Sequence, residues 1–191
     1  MVKVSSWKGS VQKAQCDAVV FGVYDDKQLS KELKDLDTEL GNTIAQAIKD
    51  KHFLGEAKST FVVNSLGKFP WKHLVVVGLG KKEDFTSEKE RLVAGFASKL
   101  SRDLDAKKSL LCFEGTTANF AEGIFLGLYR FDEYKTQDKD KVKHLEEVWL
   151  LNAKNDEITS AATLCDAVLF ARNLINRPAT LVTPDYLVAE A

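Results

Sequence analysis

The chain has 191 residues, of which 45% are apolar and 29% charged, which is enough for one sizeable core, or for one domain and the start of another. Its 27 Lys and Arg residues nearly balance its 28 Asp and Glu residues, so no overall positive field favours nucleic acid or an anionic membrane. The N-terminal stretch MVKVSSWKGS lacks the apolar core of a signal peptide, and the uninterrupted apolar runs are far shorter than the roughly 20 residues of a membrane span.

Runs of β-branched and aromatic residues predict the strands of a sheet. The clearest is HLVVVGL at 73–79, a continuous apolar run typical of a strand that is covered on both faces, and we expect it to be central in the sheet. Residues 2–7 are the weakest candidate for a strand. The other predicted strands are 17–24, 60–64, 109–113 and 147–151.

Apolar residues at helical spacing predict helices between these strands. Ser87-Glu88-Lys89-Glu90 has the pattern of a capping box at the start of one helix. In the helix predicted over 117–131, Gly123 and Gly127 form a smooth groove that favours close packing of the helix on the sheet. The helix predicted over 156–177 is apolar around much of its girth, so we expect it to be well buried. A shorter amphipathic helix is predicted at 43–51.

The alternation of strands and helices predicts an α/β layer fold with a largely parallel sheet. The polar stretch at 132–144 carries both signs of charge and predicts a surface loop. Near the C-terminus, Pro178 is expected to end the long helix, and Thr183-Pro184-Asp185 has the residue types that begin a new one.

No stretch of the sequence predicts a catalytic or metal site. Cys16, Cys112 and Cys165 are odd in number and widely spaced, which indicates buried thiols in a reducing compartment. The histidines are equally scattered, and no serine or cysteine lies in a nucleophile motif. Carboxylates that are adjacent in sequence, such as Asp25-Asp26 and Glu146-Glu147, make poor acid/base partners, because neighbours on a strand point to opposite faces.

The turn Gly78-Leu79-Gly80 follows a predicted strand and precedes a helix, as a phosphate-binding turn does. The position of the third glycine holds Glu83, and Glu83 and Asp84 oppose the charges of Lys81 and Lys82. We therefore favour a tight turn at the exit of a strand over a phosphate site.

Three stretches together resemble one family, the leucine (cytosol) aminopeptidases. VVVGLGKKEDFT (75–86), followed by EKERLVAG, resembles the VGLGK strand, turn and helix of these enzymes. AEGIFLGLYRFDEYKT (121–136) is similar to their segment EGxxLGxYxFxxYK. The matching positions there are Glu122, Gly123, Gly127, Tyr129, Phe131, Tyr134 and Lys135.

The third stretch, ARNLINRPATLVTPDYLVAEA (171–191), resembles the junction that follows the N-terminal domain in this family. The positions that carry this resemblance are Asn176, Pro178, Thr183, Pro184 and Leu187. Thr180 departs from the asparagine that family members often have there. With these stretches in order, the similarity extends over nearly the whole chain.

This resemblance implies an N-terminal α/β domain with a three-layer, macro-domain-like fold and a mostly parallel or mixed sheet, spanning residues 1–177 with the long helix. Residues 178–191 would be the junction and the start of a missing catalytic domain. That second domain would carry two divalent metal ions, zinc or manganese, and its signature NTDAEGR is absent here. By resemblance, we expect a cytoplasmic homo-hexamer that acts on peptides, and no catalytic, metal-binding or substrate-binding residue in this chain.

Two alternatives from other classes remain open at this stage. Some bacterial relatives bind DNA, and lysines cluster in the polar loop, but acidic residues alternate with them. The lysines are Lys135, Lys139, Lys141 and Lys143, and the acids are Asp132, Glu133, Asp138 and Asp140. The second alternative is binding of ADP-ribose or another nucleotide, which only the macro-like fold suggests.

Overall fold

We describe the fold from a computed structural model, which covers residues 2–134, 136 and 142–190. Strands and helices alternate through most of the chain. The strands are β1 (Lys3–Trp7), β2 (Ala18–Tyr24), β3 (Thr60–Asn64), β4 (His73–Gly80), β5 (Lys108–Cys112) and β6 (Glu147–Leu151). The helices are α1 (Lys31–Glu39), α2 (Thr43–Lys49), α3 (Ser87–Asp103), α4 (Thr117–Gly127), α5 (Asn155–Asn176) and α6 (Pro184–Glu190).

The strands form one mixed sheet in the order β1-β6-β5-β2-β4-β3. All neighbouring strands are parallel except β3, which runs antiparallel to β4 at one edge of the sheet. Every predicted strand is confirmed, including the weak candidate β1. The β4 strand is paired on both sides, as its apolar run predicts, but it lies next to the edge strand and not at the centre of the sheet.

Helices cover both faces of the sheet, so the three-layer α/β prediction is confirmed; the relation to macro domains stays a prediction. Successive strand residues point to opposite faces. In β4, Val76 packs with α1 and α2, whereas Val75 and Val77 pack with α3, α4 and α5. The predicted surface loop 132–144 lies partly outside the described residues.

The groove formed by Gly123 and Gly127 packs against another helix, α3, and not against the sheet. Both glycines of α4 contact Gly95 of α3, and a Cβ atom at Gly123 would overlap the carbonyl oxygen of Arg91. The expectation that these glycines pack α4 on the sheet was therefore wrong, because they pack α4 on α3. The two helices instead approach until their backbones touch, which only glycine permits.

The predicted capping box is also wrong. The N-cap of α3 is Thr86, and no side-chain hydrogen bond caps this end. Glu90 is buried and reaches α4 instead: its carboxylate accepts hydrogen bonds from the Thr116 backbone N–H at 3.1 Å and from Asn119 Nδ2 at 2.5 Å. Glu90 therefore ties α3 to the start of α4.

Candidate docking surface

The α5 helix has one apolar face that the structure covers and an opposite, uncharged face that stays exposed. Ile158, Ala161 and Cys165 are buried against the α3–α4 layer. On the opposite side, residues 160, 163, 164, 167, 171 and 175 recur at helical spacing, and all six are exposed. None of them is charged; Leu164 is 56% and Ile175 82% exposed. The expectation that this helix is well buried was therefore wrong for half of its girth.

The C-terminal segment also exposes apolar side chains. Pro178 lies just beyond the end of α5, as predicted, and α6 begins at Pro184. The hydroxyl oxygen of Thr183 accepts a hydrogen bond from the Tyr186 backbone N–H at 3.2 Å, so the predicted N-cap is confirmed. No described residue of α6 is buried. We call the exposed residues Leu164, Ile175, Leu181, Leu187 and Val188, together with Ala167 and Ala171, the docking surface.

A polar network holds the C-terminal end of α5 in place. Tyr129, just after α4, donates a hydrogen bond from its hydroxyl to Asn173 Oδ1 at 2.9 Å and accepts one from Asn176 Nδ2 at 3.0 Å. Arg172 donates to the Leu126 carbonyl oxygen at 3.3 Å and lies over the Tyr129 ring. These bonds fix the rotation of α5, and with it the direction in which its uncovered face points.

A second contact ties the segment after α5 to the segment after α4. The Arg177 guanidinium pairs with the Glu133 carboxylate, with 3.0 Å between Nε and Oε2. The same guanidinium donates a hydrogen bond to the Tyr186 hydroxyl and lies over its ring. Arg177 therefore links α6 to the rest of the domain through charged and aromatic contacts, while Leu187 and Val188 stay exposed.

The positions that carry the family resemblance thus have structural roles. Glu122 pairs with Arg91 at 2.5 Å, Gly123 and Gly127 bring α3 and α4 together, and Tyr129 binds Asn176. Lys135 lies outside the described residues. Sequence reasoning missed the Tyr129–Asn176 contact, although both residues stood in matching motifs.

No described part of the chain offers a metal site. Within residues 2–134, 136 and 142–190, no three His, Cys, Asp or Glu side chains are grouped so that they could hold an ion. The cysteines are buried and unpaired. Burial is the largest cause of their high pKa values: the pKa rises to about 12 for Cys16 and to about 11 for Cys165.

The glycine-rich end of β4 packs closely against a neighbouring loop and does not form an anion site. A side chain at Gly78 would overlap the Glu56 carbonyl oxygen and the Ser59 hydroxyl, and Gly80 has a φ of 75° in the left-handed region. A loop of residues 55–59 therefore covers this strand end. Gly78-Leu79-Gly80 therefore forms the end of β4 itself, so the interpretation of these residues as a turn was wrong, and no phosphate-binding turn is present among them.

Basic side chains near the polar loop are paired with acids. Arg102 contacts Asp103 at 2.9 Å, Arg130 contacts Asp132 at 3.1 Å, and Lys107 lies 4.0 Å from Glu146. These pairs reduce the positive field that a nucleic acid would need. Lys139 and Lys141 lie outside the described residues.

By length and composition alone, α5 passes as a candidate membrane span among the described residues, with 17% of its most apolar window buried. This is weak evidence, because a helix that docks on another protein domain has the same composition. Asp166 and Arg172 also interrupt its apolar sequence.

The fold and this surface define a class: an α/β domain with an exposed, uncharged helix face and no metal-binding cluster among its described residues. Comparison with known proteins agrees. The model of the cytosol aminopeptidase family, N-terminal domain, matches residues 20–138. The chain belongs to this family.

Curated relatives carry the name "Probable cytosol aminopeptidase". One from Geotalea uraniireducens is 36% identical across 92% of this chain and 38% of its own length. One from Alkaliphilus oremlandii is 30% identical across the whole chain and 42% of its own length. The chain therefore spans about two fifths of the length of these relatives.

Solved structures share the fold. A mutant of tomato leucine aminopeptidase superposes over all of this chain with a TM-score of 0.82 and 20% identity, and the chain covers 41% of it. The bottromycin maturation enzyme BotP in complex with Mn superposes over 91% of the chain with a TM-score of 0.68 and 21% identity, across 35% of its own chain.

Proposed function

We propose that residues 1–177 are the non-catalytic N-terminal domain of a dimetal aminopeptidase that releases N-terminal residues from peptides. The observation that carries this proposal is the match to the N-terminal domain of the family, in a chain that spans about two fifths of its relatives. The names of those relatives support the aminopeptidase activity of the whole protein.

In this proposal the domain acts as a scaffold and limits access to the active site of the whole protein. The catalytic domain would pack on the docking surface, beginning with residues 178–191. The support is physical: the uncovered face of α5 and the exposed Leu187 and Val188 are apolar, and burying them would stabilise the contact by about 25 cal/mol for each Å² removed from water.

Two divalent metal ions, zinc or manganese, would polarise the scissile carbonyl and activate water in the catalytic domain. The side chains of the described ranges of this chain do not fit such a centre, because no three of the usual ligand types are grouped there. The chemistry is therefore assigned to residues outside this domain. A cytoplasmic homo-hexamer belongs to the same proposal.

The experiment compares two proteins: residues 1–191 alone, and the product of the full reading frame that contains them. Both are assayed for release of p-nitroaniline from leucyl-p-nitroanilide, with zinc or manganese added and then with a chelator. We expect metal-dependent turnover from the longer protein and none from residues 1–191. Turnover that copurifies with residues 1–191, or a full reading frame without metal-dependent activity, would contradict the proposal.

A further inference from the structure

A second candidate site lies at the carboxyl ends of the parallel strands. In the sheet, β2 lies between β4 and β5. After β2 the chain continues on the β4 side of β2, and after β4 it changes direction and continues with β5 on the opposite side of β2. Such a reversal leaves a crevice outside the strand ends, and ligands of open α/β sheets bind there. The structure has a cavity of about 250 Å³ at this place, which we call the strand-end cleft.

The cleft combines an apolar interior with carboxylates. Phe21, Leu29, Phe113 and Leu151 supply apolar walls, and the Tyr24 ring lies beside them. Asp26, Glu32 and Glu114 also line the cleft, against the single cation Lys82, which lies over the Tyr24 ring at 5.8 Å. The lining therefore carries a formal charge of −2, from three carboxylates and one ammonium.

These carboxylates lack cationic partners. Within the described ranges, Glu32 and Glu114 make neither hydrogen bonds nor ion pairs, and Asp26 accepts only the Gln28 backbone N–H at 3.0 Å. The pKa of Tyr24 is raised, first by burial and then by Glu114, Glu90 and Asp26.

A buried cysteine of the core also borders the cleft. Cys112, at the end of β5, is 8% exposed, and its thiol makes no hydrogen bond with any described residue. Its pKa is raised, first by burial and then by the charge of Glu32. The thiol is therefore neutral and adds no charge to the cleft.

The start of α1 does not offset this charge. A helix N-terminus favours an anion, but the Ser30 hydroxyl oxygen already accepts the Leu33 N–H at 3.2 Å. Glu32 stands in the first turn and neutralises the positive end of the helix. A diphosphate in this cleft would face three carboxylates and one lysine.

We propose that the strand-end cleft binds a small organic ammonium ion with an apolar body, and that it rejects anions, ADP-ribose included. The ammonium contacts Glu114 and its neighbouring carboxylates at the rim, and the apolar body lies between Phe113 and Leu29. This site goes beyond the proposed function and does not depend on it. Because the cleft admits few heavy atoms, we expect a Kd on the order of 1 mM.

The test uses residues 1–191 and probes that share one carbon skeleton but differ in charge: isoamylammonium, isoamyl alcohol and isovalerate, with ADP-ribose as a fourth. Binding is followed by backbone amide NMR shifts of Gly22, Leu79 and Glu114. We expect saturable shifts with isoamylammonium, binding of the alcohol weaker by about fivefold or more, and no saturable shift with either anion. Added salt should weaken ammonium binding.

Substitutions distinguish the effect of the carboxylates in the cleft on binding from the effect of the net charge of the protein. Glu114→Gln and Glu32→Gln should each weaken isoamylammonium binding by about threefold to tenfold. Asp166→Asn, which removes a carboxylate from exposed α5, should leave it unchanged. The amide spectrum reports the folding of each variant. Isovalerate or ADP-ribose binding as tightly as isoamylammonium, unchanged binding in both cleft variants, or no saturable shift with isoamylammonium would overturn the proposal.

Discussion

The three cysteine thiols are buried, and their pKa values are raised as a result. Cys16 and Cys112 lie in the core on the α1–α2 side of the sheet, and Cys165 lies on the packed face of α5. Burial favours the neutral thiol, since a thiolate there would lose its hydration. The pKa values of all three are therefore raised, to about 12 for Cys16 and to about 11 for Cys165.

We expect none of the three thiols to react with a disulfide reagent at pH 8 in the folded protein, and all three to react in urea. Because the unfolded thiols ionise near pH 8.5 and the folded ones only at higher pH, stability should fall as pH rises above about 8.5. Cys16→Ala should lessen that alkaline loss. A thiol that reacts in the folded protein at the rate of a free cysteine would contradict this account.

The role of Glu90 could not be predicted from the local sequence pattern. Its spacing from Ser87 fits a capping box, but α3 already includes Ser87, so the motif lies one position inside the helix. The partners of Glu90 are Thr116 and Asn119, more than 20 residues away in sequence. A local pattern cannot reveal a partner that only the fold brings close.

Among the helices, the α3–α4 contact depends on glycine. Ordinarily a Gly→Ala change inside a helix stabilises it by about 1 kcal/mol. At Gly123 the sign should reverse, because the added methyl would overlap the Arg91 backbone. We expect Gly123→Ala to lower the free energy of unfolding by about 1–3 kcal/mol, or more, in urea titrations.

The matched control is Gly67→Ala, where the added methyl meets open space and only the positive φ opposes it. This variant should lose about 1 kcal/mol. A Gly123→Ala protein that is as stable as the unchanged chain would show that α3 and α4 can separate freely.

The β4 strand provides the corresponding test for the sheet. Val76 is fully buried and packs between the sheet and α1–α2. Val76→Asp should destabilise the domain by about 3 kcal/mol or more, because it buries an unpaired charge. The control is Val62→Asp on edge strand β3, where the side chain is 40% exposed, and we expect a much smaller loss. Equal stability of the two variants in urea would refute the burial of β4.

The strands were predicted correctly where the apolar pattern of the sequence is itself what makes the segment a buried strand. The apolar runs of β2, β4 and β5 predict strands because burial on both faces requires such runs. The α1 helix was missed, because KELKDLDTE has only Leu33 and Leu36 as apolar anchors. The sequence of α5 correctly indicates a helix that is apolar around much of its circumference. The spacing of its apolar residues, however, does not reveal which element covers each face. The docking surface therefore emerged only from the structure.

At the scale of the whole molecule, α5 and the segment that follows it form an exposed part of the domain. One face of α5 is packed, its end is held by Tyr129 and Arg177, and the docking surface is exposed. Isolated helices shorter than about 12 residues are marginal in water, and α6 has 7 residues with none buried. Without a partner, the segment has little to stabilise it.

Backbone amide hydrogen exchange is the most direct test of the docking surface. In dilute, proven monomers of residues 1–191, we expect residues 186–190 to exchange close to the rate of an unfolded peptide. In the product of the full reading frame, the same residues should be strongly protected, because in the proposed function the catalytic domain covers them. The buried amides of β4 serve as an internal control and should be protected in both. Strong protection of 186–190 in the monomer of residues 1–191, or no gain of protection in the longer protein, would contradict the account.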